Sequence, residues 1–175
     1  MHVRLPGEIA MNWLAATNSL SLLMLANFVP WAVGRTCRDR WAAPLDCGLV
    51  LPDGRRLLGS HKTWRGLVAA ITACAITADL LGLHWWLGME FAALSMLGDA
   101  ISSAWKRRRG RAPGEDDPGL DQLPEALLPL VVLRGPLNLG WKEVALVTTV
   151  FAVLNLLSLR VRHPRRRPVE ADGGA

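Results

Sequence analysis

From Ile9 to Gly34 the chain runs for 26 residues without a charged side chain, more than the roughly 20 a helix needs to cross about 30 Å of hydrocarbon. This pattern predicts a membrane-spanning helix. A cleaved signal peptide would have a shorter apolar run, a basic start and a small-residue cleavage site; here the run leads instead into Asn27, Pro30 and Trp31, and the segment is expected to be retained. Four weaker apolar stretches follow, at 66–83, 85–105, about 123–133, and 144–159. The fourth span is too short to cross straight and is predicted to be a broken or tilted helix, which a bilayer tolerates only where the backbone faces protein or a wet cavity. Pro124 and Pro129 are expected to bend it, and Gly135, Pro136 and Gly140 to form a tight turn beyond it. The expected fold is all-α and integral to the membrane, with about five transmembrane helices.

Charge gives this layout a direction. The 35–65 loop holds seven Lys and Arg residues, the loop after the third span five, and the tail from Arg160 five; only Arg4, Arg134 and Lys142 lie elsewhere. Short cytoplasmic loops collect basic residues. A 17-to-3 split therefore predicts an odd number of spans with the N-terminus outside and the C-terminus cytoplasmic. Residues 1–160 are expected to form one membrane domain. Residues 161–175, rich in Arg, Pro and Gly, are expected to form a disordered basic cytoplasmic tail that touches anionic headgroups, each basic residue adding about 1 kcal/mol.

Composition narrows the chemistry. Cys37, Cys47 and Cys74 are odd in number and form no CxxC pair, and His2, His61, His84 and His163 are scattered without ligand spacing. Neither a disulfide framework nor a zinc site is implied. Tyrosine is absent, and seven of the eight tryptophans fall near predicted segment ends, as in an interfacial aromatic belt. The basic blocks lie against the membrane and lack interleaved stacking aromatics apart from Trp64 and Trp105, which argues against nucleic-acid binding.

Three polar clusters converge on the predicted cytoplasmic face. The first joins Pro44 to Gly48 with Asp53 to Gly66. Its glycines, Gly48, Gly54, Gly59 and Gly66, permit tight turns and close approach of backbone to a ligand, and Arg55, Lys62 and Arg65 supply charge suited to a triphosphate. It lacks the GxxxxGK[ST] spacing of a Walker A loop; a solvated loop against lipid headgroups is the alternative. The second, Gly98 to Arg108, places Asp99, Ser102, Ser103 and Lys106 on one helical stripe. An acid inside a bilayer helix costs about 2.5 to 3.5 kcal/mol on insertion scales, which points to Asp99 as a metal ligand, against simple pairing with Lys106 or Arg107. The third, Ala112 to Glu125, carries acids at 115, 116, 117, 121 and 125. The triplet reads as solvated loop charge. Asp121 and Glu125, at the mouth of the fourth span, suit a partly hydrated Mg²⁺ completed by substrate phosphates.

The ordered motifs NxxPxxxxR (Asn27, Pro30, Arg35), PLDxG (44–48), DGxRxxGxxKTxRG (53–66), GDxxSSxxKRR (98–108), PG (113–114) and DQ (121–122) resemble those of the CDP-archaeol synthase family, relatives of the phosphatidate cytidylyltransferases. The resemblance spans residues 27 to about 125. It implies a five-helix membrane enzyme that uses CTP and Mg²⁺ to convert a lipid phosphate into a CDP-lipid with release of pyrophosphate. Carried onto this chain, Asp99 and Asp121, with Glu125, are expected at the metal, and Lys62, Arg65, Lys106 and Arg107 at the phosphates. Asn27, Asp46, Asp53, Gly54, Arg55, Gly59, Thr63, Gly66, Ser102 and Gln122 are expected to contact substrate or shape its site. One departure stands out: where archaeal members carry a second acid two positions after the DQ pair, this chain has Pro124, with Glu125 next to it. The Arg-, Trp- and Ala-rich composition suggests a bacterial inner membrane, with the site on its cytoplasmic side. The alternative is a non-catalytic membrane module that binds anionic lipid or a protein partner. The lipid and the oligomeric state are not encoded in any readable pattern.

Overall fold

The computed structural model describes residues 11–59, 61–110 and 122–162, with side chains as far as 158. It consists of five helices: α1 (Trp13–Cys37), α2 (Trp64–Leu80), α3 (Trp85–Arg108), α4 (Gln122–Val132) and α5 (Trp141–Arg162). Each falls within a few residues of an apolar stretch read from the sequence. No strand forms among the described residues; two isolated bridges, Pro44 with Thr63 and Val50 with Arg56, pin the loop between α1 and α2.

The helices pack through small residues. On α2 the buried positions are Gly66, Ala70, Cys74 and Ala78, one every four residues. Ala15, Ala16, Ser19 and Ala26 on α1, and Gly88, Ala92 and Ser95 on α3, fill the facing positions. Leu22, Leu23, Phe91, Leu130 and Phe151 fill the core between them, while many other large apolar side chains point outward: Val68, Ile76, Leu80, Leu97, Ile101, Val132 and Leu157 are exposed. Lipid offers these side chains what water does not, and close backbone approach over small residues replaces the hydrophobic drive between helices. Two helices, Trp13–Cys37 and Trp141–Ser158, are by themselves long and apolar enough to cross a membrane. The 11-residue α4 covers only about 16 Å at 1.5 Å per residue, as its short apolar run predicted.

The polypeptide path sorts the chain into two ends. At one end Asn12 caps α1 through Oδ1 to the Ala15 amide (3.1 Å), and its own amide donates to Glu143 Oε1 in the first turn of α5 (2.8 Å). At the other end α1 and α3 finish, α2 and α4 begin, and the loop 38–63 folds over them. The described basic residues of the 35–65 and 106–109 segments gather at this second end. The acidic triplet 115–117, Asp121 and residues 163–175 of the expected tail lie outside the described residues, while 161–162, expected in that tail, form the end of α5.

Candidate functional site

A cavity of about 820 Å³ opens at this second end, between α1, α2, α3 and α4. Its α1 wall carries Asn27, Pro30, Trp31, Gly34 and Arg35, residues three to four apart and therefore on one helical stripe. Pro30 has no N–H to return to the Ala26 carbonyl, which loosens α1 where it meets the cavity. Gly66 of α2 faces it closely: a Cβ there would lie 3.2 Å from Pro30 Cβ and 3.3 Å from Thr63 Oγ1.

Thr63 starts α2, its extended backbone placing Oγ1 to accept from the Gly66 amide at 3.4 Å. The residue before this cap is Lys62. Its carbonyl accepts from the Leu45 amide at 2.7 Å, and its ammonium forms an ion pair with Asp99 of α3. Both side chains are about one quarter exposed and both line the cavity. Across from them Glu125 of α4, buried, accepts from Asn27 Nδ2 at 2.8 Å. Glu125 thus faces the cavity despite following Pro124, and the Pro124 carbonyl instead packs against Gly98, where a Cβ would come within 2.2 Å of it.

The PLDxG and DGxR motifs fold the loop between α1 and α2 onto itself and onto the end of α3. The buried Asp46 carboxylate accepts from Arg56 (2.6 Å) and from the amides of Gly48, Leu58 and Gly59 (3.0, 3.1 and 3.2 Å). Burial alone would raise its pKa, but the guanidinium and the three amides outweigh it and hold the carboxyl down at about 2. Gly54 and Gly59 take positive φ (73° and 104°), the turns that bring those amides round. Asp53 accepts from the Arg55 amide (3.1 Å), is partly desolvated, and pairs with Arg108 (2.6 Å); the net effect keeps its carboxyl below the usual range. Arg55 donates to the Arg107 and Arg108 carbonyls, both at 3.1 Å, closing the end of α3. Asp46, Asp53, Gly54, Arg55 and Gly59 therefore form a clasp between loop and helix and do not line the cavity. Ser102 also lies off it, its hydroxyl donating to the Asp99 carbonyl at 2.9 Å. Lys106, Arg107 and Gln122 lie off it too, each with partners of its own, and Arg107 and Gln122 are buried.

Of the residues singled out from sequence, the cavity brings together Asn27, Lys62, Thr63, Arg65, Gly66, Asp99 and Glu125. It adds Trp31, Arg38, Asp39 and His61, which the motif reading did not assign. Trp31 packs 5.4 Å from the Phe28 ring and lies under the Arg35 guanidinium at 5.9 Å. Its four-residue spacing from Asn27 and Arg35 was the available signal; the aromatic-belt reading absorbed it. Four cations (Arg35, Arg38, Lys62 and Arg65) line the cavity against three carboxylates (Asp39, Asp99 and Glu125), a balance that favours anionic ligands accompanied by a cation. Among the described residues no three His, Cys, Asp or Glu side chains gather as a metal cluster. Mg²⁺ needs none, because one or two carboxylates and substrate phosphates suffice. The hard oxygens of Asp99 and Glu125, now held by an ammonium and an amide, fit that ion.

The CarS-like CDP-archaeol synthase family model matches residues 19–87. The CDP-archaeol synthase of Sulfurisphaera tokodaii is 37% identical over 128 residues, which cover 69% of this chain and 76% of that protein. The one from Aeropyrum pernix is 35% identical over 160 residues, 85% of this chain and 88% of that protein. Among solved structures, one described as an intramembrane enzyme for archaeal membrane lipid biosynthesis superposes with a TM-score of 0.66 at 31% identity, over 79% of this chain and 90% of its own.

Proposed function

Because this chain belongs to the CDP-archaeol synthase family, and so is a CTP-dependent cytidylyltransferase of membrane lipid synthesis, we propose that the four-helix cavity is where CTP meets a lipid phosphate. What carries the reading is the convergence of the Lys62–Asp99 and Asn27–Glu125 pairs on one arginine-rimmed space. Asp99 and Glu125 would hold Mg²⁺, and Lys62, Arg65, Arg35 and Arg38 the phosphates, with Lys106 and Arg107 supporting them from the end of α3; Asp121, which the sequence also assigns to the metal, lies outside the described residues.

The lipid phosphate is largely ionised at neutral pH, its second pKa being about 6, and needs no general base. Its oxygen attacks the α-phosphorus of CTP, the bond to the β-phosphate breaks, and pyrophosphate leaves with the displaced electron pair. The residues of the cavity have to align two anions and neutralise their charge, which is a matter of position and electrostatics. Mg²⁺, when bound, offsets charge on the phosphate oxygens. Thr63 and Gly66 set the start of α2 against α1 and so fix where Lys62 and Arg65 reach. The five helices span the membrane with the N-terminus outside and the cavity on the cytoplasmic side, in keeping with the 17-to-3 charge split.

The test is incubation of the purified protein with labelled CTP, Mg²⁺ and either ether- or ester-linked lipid phosphates, followed by mass analysis of the product. The named relatives are archaeal, whereas composition pointed to a bacterial membrane, so the two lipid classes are compared directly. Asp99→Asn is expected to cut pyrophosphate release by at least about 100-fold while the protein still inserts in the membrane; full activity of that variant would remove Asp99 from the site.

A further inference from the structure

We propose that Lys62 is a placeholder for the metal: its ammonium occupies Asp99 until the divalent cation arrives, and is then released to a CTP phosphate. This rests on the assignment of Asp99 to the metal made above.

The two partners belong to different elements, 37 residues apart, and both line the same cavity. The backbone of Lys62 is held on both sides, by the Leu45 amide on its carbonyl and by the Thr63 cap that follows. Only the four-carbon stem is left to move, and a flexible stem with a compact charge is what separates lysine from arginine. Asp99 lies in a helix of a membrane enzyme, where an uncompensated carboxylate is costly. Lys62 therefore remains on Asp99 until another cation replaces it. An ammonium and a dication repel each other and compete for the same oxygens, so occupancy by one excludes the other. Displacement also frees a positive charge inside a cavity that is receiving a triphosphate. By linkage, whatever lowers the hold of Lys62 on Asp99 must raise the affinity for metal, and the reverse.

The proposal predicts effects of opposite sign from one substitution. Mn²⁺ binding to the solubilised full chain, without nucleotide, is read from the electron paramagnetic resonance of the free ion. Lys62→Gln is expected to tighten Mn²⁺ about three- to tenfold, while weakening binding of labelled CTP measured at saturating Mn²⁺. Lys62→Met is a second variant with the same expectation, and Lys62→Arg, which keeps the charge on Asp99, stays within about twofold of the parent for Mn²⁺. General damage to the fold weakens metal binding, so it does not imitate a gain. If Asp99→Asn weakens Mn²⁺ but the uncharged Lys62 variants bind it equally or less tightly, the placeholder role is overturned and the metal assignment stands. If Asp99→Asn leaves Mn²⁺ binding unchanged, the metal assignment fails and this inference fails with it.

Discussion

Asp46 and Asp99 are both aspartates within two residues of a glycine in a motif, and their surroundings separate them. Asp46 has its oxygens filled by Arg56 and three amides of its own loop, leaving it a structural anchor. Asp99 instead pairs with Lys62 of another element, both partly exposed to the cavity. The pKa of Asp46 is about 2 in the fold, against an ordinary value near 3.9 when unfolded. A depressed carboxylate stabilises the fold fully above the unfolded value and loses that contribution as pH falls through the folded value. Asp46→Asn is therefore expected to destabilise the protein at pH 7 by about 2 kcal/mol, with faster proteolysis of the 44–59 loop. Parent and variant should converge between about pH 4 and pH 2, which thermal unfolding in detergent at several pH values will measure. The buried side chain and the filled oxygens, not the PLDxG spelling, are what place Asp46 in the scaffold.

Between elements, two glycines of α3 set the approach of its neighbours. Gly88 lets the Cys74 carbonyl of α2 come within 2.1 Å of where a Cβ would stand, and Gly98 does the same for Pro124 of α4. Neither backbone can yield without moving its helix. Gly98 is next to Asp99, so its contact also sets the distance between Asp99 and Glu125. Gly98→Ala is expected to cost about 1 to 3 kcal/mol of stability and to weaken Mn²⁺ binding as well. Gly88→Ala, at the far part of α3, is expected to show a comparable loss of stability with Mn²⁺ affinity preserved; melting and metal titration of the two variants check this. The first turn of α4 fits the same picture, since it supplies Glu125 to the cavity.

For the whole molecule, one end holds a buried Glu143 that ties α5 to Asn12, and the other holds the arginine-rich loops and the cavity. Single cysteines introduced into a chain with Cys37, Cys47 and Cys74 replaced test the arrangement in the membrane. Positions in the 49–57 hairpin are expected to react with a membrane-impermeant reagent only after the cytoplasmic face is exposed, and a position in the turn 135–139 from outside. The opposite labelling would invert the orientation derived from charge.

Helix number, helix ends and the crowding of basic residues at one end were legible in the sequence, because run length, helical period and loop charge are properties of neighbouring residues. The position of Glu125 was legible in part: the sequence placed an acid near the mouth of α4 but left open whether Pro124 turned it away. Which polar residues face one another was decided only by tertiary structure. Asn27 meets Glu125 across 98 residues and Lys62 meets Asp99 across 37, and no local pattern encodes either distance. Beside those pairs the helices come close over glycine: a Cβ at Gly98 would lie 2.2 Å from the Pro124 carbonyl, and one at Gly66 3.2 Å from Pro30 Cβ. Spacing along the chain could place Asp46 and Asp99 in comparable motifs; only the packed fold makes one a clasp and sets the other against Lys62 on the wall of the cavity.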